Sequence, residues 1–424
     1  MNPTIGYLVA EFPGQTHMFF WRELQALADA GVETDLVSTR RPASALISHS
    51  WAGEAMARTA YLASPGWRAL LGGCATLLGA GPAAWWRCLR AVATGSGSLL
   101  GKVRRLLLVP FAAELAWLAG KRGWQRVHVH SCGNAADVAL FARLLTGLRY
   151  SLTLHALIKE YGPNQRQKWR SADFAIVITR TLLEAVRREL AGDLPPRVEV
   201  APMGVDLRRF SRSVPYAPWE RSGPCRVFTC GRLNPCKGHD ELIRAVAALR
   251  ESGLPVSLRI AGQDDSGSGR YREYLDRVAA DSGVADHIEF LGAVSEEVVR
   301  AEIEKAHLFA LASVQEALGV AIMEAMALEV PVVATRVGGV PELVEDGIDG
   351  LLAEPSDPAS MASRMRRVLE DPALARRLGA EGRAKVERSF HSGVSAGVMT
   401  ALLADSRPHA VPAGRHRAAE RVAG

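Results

Sequence analysis

Short apolar runs of about five to seven residues, each separated from the next by enough chain for a helix or a loop, recur along most of this 424-residue sequence and leave few folds open. Ile5 to Ala10 is such a run; a Pro13-Gly14 break, a helical stretch after Thr16, Gly31 as a stop and a second run from Val32 to Ser38 complete one βαβ unit. Further strand patterns fall at Arg126 to His130, Tyr150 to His155, Phe174 to Thr179 and Arg197 to Ala201. After a Pro- and Arg-rich stretch at 208–224 the rhythm restarts, with strands at Arg226 to Cys230, Val256 to Ala261, His287 to Leu291, Leu308 to Ala312, Val330 to Ala334 and Gly350 to Ala353. Strands alternating with helices make parallel sheets, and two series make two doubly wound α/β domains with a cleft between them. The expected organisation is an N-terminal domain over 1–207, a linker over 208–224 and a C-terminal domain over 225–388. A helix over 389–405 returning toward the N-terminal domain and a disordered tail over 406–424 complete it. With 48% hydrophobic residues, both domains have the material for a core.

Ligands of such sheets bind beyond the carboxyl ends of the strands, so the loops there carry the chemistry. In the stretch Ser313 to Met326 a strand pattern ends, Glu316 follows, and Gly319 opens a helix bearing Glu324. A helix N-terminus offers free amides and positive dipole to a phosphate, here around Leu318, Gly319 and Val320. The eight-residue step from Glu316 to Glu324, at about 1.5 Å per residue, puts the two carboxylates roughly 12 Å apart along a helix axis, too far to serve one bond as an acid and base pair. They suit two ends of an extended ligand: Glu316 for sugar hydroxyls, Glu324 for a ribose.

Glu316-x7-Glu324 with Ala325-Met326-Ala327, then Val330 to Thr335 and Gly338-Gly339-Val340-Pro341-Glu342, resembles family 4 of the glycosyltransferases. The resemblance implies the GT-B fold, in which two Rossmann-like domains face each other, and transfer of a sugar from a nucleotide diphosphate with retention and without an obligatory metal. Gly231-Arg232-Leu233-Asn234-Pro235-Cys236-Lys237-Gly238 resembles the family loop whose Arg and Lys neutralise the donor diphosphate. Two fixed cations aimed where charge grows on a departing diphosphate fit that chemistry. Met203-Gly204-Val205-Asp206 with Phe210, Ala261-Gly262 and Leu291 to Val294 are similar to further family segments, Val294 lying beside the base. The resemblance also places Gly14 at the turn approaching donor and acceptor, and His155 facing the transferred sugar. Ala317 and Ala156 depart from the residues common at their positions, and Met203 replaces the usual Asn. Wording in Glu11 to Leu24 and Tyr161 to Gln165 is similar to bacterial exopolysaccharide glycosyltransferases.

Charge is unevenly spread. The net charge is +6, yet residues 55–126 hold ten Lys or Arg against the single acid Glu114, a local +9. Trp67, Trp85, Trp86, Trp117 and Trp124 lie among them, and the apolar runs fall short of the ~20 residues a bilayer span needs. Two readings stand: an anionic membrane surface held by basic and Trp residues, or a helical insertion with core Trp and solvated Arg. No nucleic-acid-binding signature accompanies the charge. The six cysteines form no CxxC pair; Cys225 and Cys230 suit a strand better than a metal site. No secretory signal is visible, and the expectation is a cytoplasmic protein, peripheral on the inner face of the membrane.

The sequence therefore predicts a hexosyltransferase-type enzyme. It would take a UDP- or GDP-sugar donor, use no cofactor or obligatory metal, and extend an oligosaccharide or lipid-linked acceptor in surface-polysaccharide synthesis. The rivals are a sugar-nucleotide epimerase or phosphorylase of the same fold, and an inert scaffold.

Overall fold

The structure, a computed structural model, describes residues 4–14, 17–42, 49–64, 66–264 and 269–405. The expected tail at 406–424, and Thr16, lie outside these. The first sheet contains β1 (Thr4–Glu11), β2 (Glu33–Arg40), β3 (Ala60–Tyr61), β4 (Arg126–His130), β5 (Arg149–Leu154), β6 (Ala175–Val177) and β7 (Val198–Val200). Their order is β3-β2-β1-β4-β5-β6-β7, every pair parallel. The second contains β8 (Cys225–Cys230), β9 (Val256–Ala261), β10 (Ile288–Gly292), β11 (Leu308–Leu311), β12 (Val332–Thr335) and β13 (Leu351–Ala353), ordered β10-β9-β8-β11-β12-β13 and also parallel. β3 escaped the sequence because a two-residue edge strand has no periodicity to show.

Parallel sheets are covered on both faces, so their strands are buried throughout. All five residues of β4 are buried although every second one from Arg126 is polar. That is affordable because β5 supplies partners: the His128 ring nitrogens lie 2.8 Å from Ser151 Oγ and 2.7 Å from Thr153 Oγ1. Strand order reverses between β1 and β4, and again between β8 and β11. Those two switch points set the loops after β1, β4, β8 and β11 at the mouths of the two sheets.

Two segments tie the domains together. The helix Ser392–Asp405 leaves the second domain and packs on the helix Met18–Asp29 of the first. It crosses at Val205, whose amide donates to Phe390 O at 2.9 Å and whose carbonyl accepts from Ser392 N at 3.0 Å. A Cβ on Gly204 would stand 2.2 Å from the His391 carbonyl carbon, so only glycine admits this crossing. The stretch read as a linker is anchored: Phe210, Tyr216 and Trp219 are buried, and Tyr216 Oη donates to His307 O at 2.6 Å.

The basic segment divides between the two readings. It forms the helices Trp67–Gly79, Gly81–Ala93, Leu99–Leu106 and Val109–Arg122. Trp124 is core and donates to Asp35 Oδ2 at 2.5 Å, while Trp67 and Trp86 are each 67% exposed. Arg105 and Arg126 are buried in ion pairs with Asp137 and Asp173. The apolar surface is concentrated here: eleven of the sixteen exposed large hydrophobic side chains among the described residues lie between Trp67 and Leu107. No helix among the described residues is long and apolar enough to cross a membrane.

Candidate active site

A cleft of about 1020 Å³ lies between the two sheets, lined by the loops after β1, β5, β8, β11 and β12. On the second-domain wall, β8 runs into Gly231 and Arg232, then a single 3-10 turn at Pro235–Lys237. Gly238 closes that turn at φ 61°, with Ala312 O only 2.0 Å from where a Cβ would stand, so glycine lets the loop press against the end of β11. Val314 N donates to Cys236 O at 2.9 Å across that contact. The result is an ion pair: Lys237 Nζ donates to Glu316 Oε2 at 2.5 Å, and Ser313 Oγ donates to the same oxygen at 3.3 Å.

Glu316 is not helical. The helix covers Val320–Ala327 and opens at Gly319, φ 94°, without a side-chain cap or an acid in its first turn. The helical rise therefore applies only from Val320 to Glu324, roughly 6 Å, and Glu316 sits on the loop before it, so the roughly 12 Å axial separation does not describe the pair. Positive dipole and uncapped amides face the cleft between the two carboxylates, as a phosphate site needs. Gly338 and Gly339 lie against this loop so closely that a Cβ would stand 1.8 Å from Glu316 O or 2.1 Å from Ala317 O.

His155 faces these groups from the first-domain wall, immediately after β5. Its Nε2 lies 3.0 Å from His130 Nδ1, and burial pushes both imidazoles down to about 3, so each is neutral near pH 7. His17 lines the same wall; burial first, then the Arg232 guanidinium, push it down to about 4.

The cleft thus gathers His155, Arg232, Lys237, Glu316, Val294, Leu318, Gly319, Val320 and Glu324. Leu318 is buried. Gly14 is not brought to the cleft wall: it is buried under the His17 ring, whose Nδ1 would be 2.7 Å from an added Cβ. That turn presents Glu11 and His17 instead. Among the described residues no cluster of three or more His, Cys, Asp or Glu is placed to hold a metal.

Sequence reasoning missed the groups that span the domains. Arg22, fully buried on the helix Met18–Asp29, donates from Nη2 to Glu324 Oε1 at 2.6 Å and has Glu296 Oε1 at 3.5 Å. Glu342 caps the helix Arg180–Glu189 from the other domain, accepting from Arg180 N at 2.7 Å, Thr181 N at 2.8 Å and Thr181 Oγ1 at 2.7 Å. Gln315 Nε2 donates to Glu160 Oε1 at 2.6 Å. No local pattern marks these partners, which are 155 to 302 residues apart.

Residues 219–385 match the family model described as glycosyl transferases group 1. The chain is 27% identical over 417 residues to the putative colanic acid biosynthesis glycosyltransferase WcaL of Escherichia coli K12, covering 94% of this chain and 99% of that one. It is 31% identical over 316 residues to the D-inositol 3-phosphate glycosyltransferase of Streptomyces scabiei, covering 71% and 68%. Among solved structures it is similar to Anabaena HepE in complex with UDP and glucose, with a TM-score of 0.72, 18% identity and coverage of 95% and 100%. The two parallel sheets and these neighbours are those of the GT-B fold.

Proposed function

This chain belongs to the group 1 glycosyl transferases and is a glycosyltransferase, and from that premise we propose that it is a retaining, family 4 enzyme using a nucleotide-diphosphate sugar. The observation carrying this reading is the sequence of groups along one cleft wall: the Lys237–Glu316 pair, the uncapped helix opening at Gly319, then Glu324. A sugar nucleotide has the same order of parts, with hexose, diphosphate and ribose in a row. HepE, of the same fold, is solved with UDP and glucose, which supports such a donor.

In this reading the diphosphate displaces part of the Lys237 contact with Glu316. Lys237 and Arg232 then neutralise charge growing on the leaving diphosphate, and the amides after Gly319 add fixed dipoles. Glu316, released toward the sugar, accepts from its hydroxyls, as Glu324 does from the ribose. His155 meets the hexose from the opposite wall. The acceptor hydroxyl attacks the anomeric carbon from the face the diphosphate leaves, forming the new C–O bond as the C–O bond to phosphate breaks, and its proton passes to a phosphate oxygen of the leaving group. No side-chain nucleophile or metal is required.

We infer further that the acceptor is a lipid-linked oligosaccharide of surface-polysaccharide synthesis at the cytoplasmic face of a membrane. Exposed Trp67, Leu70, Leu78, Trp86 and Leu99, with exposed Arg68, Arg90 and Arg104 between them, suit an anionic lipid surface. WcaL, named for colanic acid biosynthesis and covered almost end to end, supports an exopolysaccharide role. Incubating the protein with UDP- and GDP-sugars and a lipid-linked acceptor extract tests the whole reading. Transfer with the anomeric configuration kept is expected; epimerised donor, or phosphate-dependent release of sugar phosphate, would overturn it.

A further inference from the structure

Behind His155 runs a buried chain of polar groups that the proposed chemistry does not use. Glu23, on the helix Met18–Asp29, is buried, and its Oε2 accepts from Tyr7 Oη at 2.7 Å. His130 Nε2 lies 3.2 Å from that same oxygen, and His130 Nδ1 lies 3.0 Å from His155 Nε2. The rings are held as well as linked: Tyr7 packs on His130 at 4.3 Å between centroids, Phe20 on His130 at 4.8 Å, and Phe19 and Phe20 on His155 at 5.4 and 5.3 Å. Only the His155 end of this chain reaches the cleft; Glu23 and His130 do not line it.

A neutral imidazole carries one N–H, so two neutral rings in contact through their nitrogens must be one donor and one acceptor. We propose that Glu23 and His130 are positioning residues that fix His155 in the tautomer protonated at Nε2, leaving its Nδ1 lone pair to accept a hydrogen bond from the transferred sugar. The order of protons follows from one end. Glu23 Oε2 already accepts from Tyr7, and a carboxylate oxygen beside His130 Nε2 favours the proton on that nitrogen. The two atoms stand at ion-pair distance without hydrogen-bond alignment in this structure. His130 Nδ1 is then the acceptor, and His155 Nε2–H donates to it. The carboxylate–histidine pairs that orient catalytic and metal-bound imidazoles work by the same rule, here lengthened by one ring.

The inference rests on the proposed role of His155 toward the sugar, and the experiment separates the two. The full chain labelled with 15N-histidine, with the His155 signals assigned by their loss in His155→Gln, is expected to show an unprotonated Nδ1 and a protonated Nε2 at neutral pH. In Glu23→Gln, which keeps the shape and removes the charge, a mixture of tautomers is expected, with kcat down about tenfold and donor KM little changed. A wild-type His155 protonated at Nδ1 overturns the proposal, as does a Glu23→Gln protein whose His155 tautomer and kcat match the wild type. If Glu23→Gln does not fold, the wild-type spectrum still decides. Full transferase activity in His155→Gln would remove the sugar contact while leaving the tautomer assignment standing.

Discussion

Arg22 and Glu324, 302 residues apart, meet across the interdomain cleft through a 2.6 Å bond from Nη2 to Oε1. The guanidinium is fully buried, stands 4.8 Å from the centroid of the Phe210 ring and has Glu296 beside it. Glu324 thus answers to both domains, and in the proposed reading Arg22 orients the carboxylate that grips the ribose. Replacing Arg22 leaves Glu324 without the cation it shares with Glu296, which keeps the more distant Arg209 at 3.7 Å. Breaking a buried pair from one side costs about 3–5 kcal/mol, so Arg22→Ala is expected to lower the urea midpoint strongly, and Arg22→Lys less. An unchanged midpoint in Arg22→Ala would show that the pair contributes nothing to the closed arrangement.

Lys237→Ala is expected to lower kcat by roughly 10²–10³, the usual loss on removing one fixed donor from a site of growing negative charge. Glu316 is then without its cationic partner, and donor KM should change less than kcat. Single-turnover transfer measures this; a kcat within twofold of the wild type contradicts the diphosphate role.

Glu342 takes three donors from the far domain at Arg180 and Thr181. Glu342→Ala removes that cap, which is worth about 1–2 kcal/mol to a helix start. It also frees one edge of the cleft, so the radius of gyration by small-angle scattering should rise and donor KM should increase. No change in either would assign the cap to local helix stability alone.

His17, His130, His155 and His239 are pushed by burial down to about 4, 3, 3 and 4. In the unfolded chain each takes a proton near pH 6.5, whereas in the folded protein each stays neutral until far lower. The unfolded state therefore binds more protons between about pH 6.5 and pH 4, and stability falls as pH falls through that window. Denaturation at pH 7.5 and pH 5 is expected to show a clear loss at pH 5. The loss should be smaller in His239→Gln, and equal stability at both pH values would contradict it.

Trp67 and Trp86 are exposed, so Trp67→Ser with Trp86→Ser should leave the melting temperature almost unchanged. Flotation with anionic vesicles is expected to fall in this double variant, and in the wild type as salt rises. Absence of wild-type binding at low ionic strength would end the membrane proposal.

The strands of both domains were legible because a covered parallel strand must be apolar nearly throughout, and that signal is local. So were the Gly231 to Gly238 loop and the Glu316 to Glu324 stretch, since glycine with cations or carboxylates at a strand end is written in consecutive residues. Gly14 gave no local sign that the His17 ring lies against it and keeps it off the cleft wall. It left the basic segment undecided because Trp124 and Trp86 look alike as letters; only packing against Asp35 buries one and leaves the other exposed.

By itself, then, the sequence determined two doubly wound sheets and the cleft-lining loops, because short-range periodicity and turn chemistry suffice to specify them. Only the tertiary structure decided which groups meet across the cleft. Arg22 with Glu324, Glu342 with Arg180 and Thr181, and Glu23 with His130 and His155 are set by how helices and strands distant in the chain pack, and a contact of that kind leaves no local pattern in either partner.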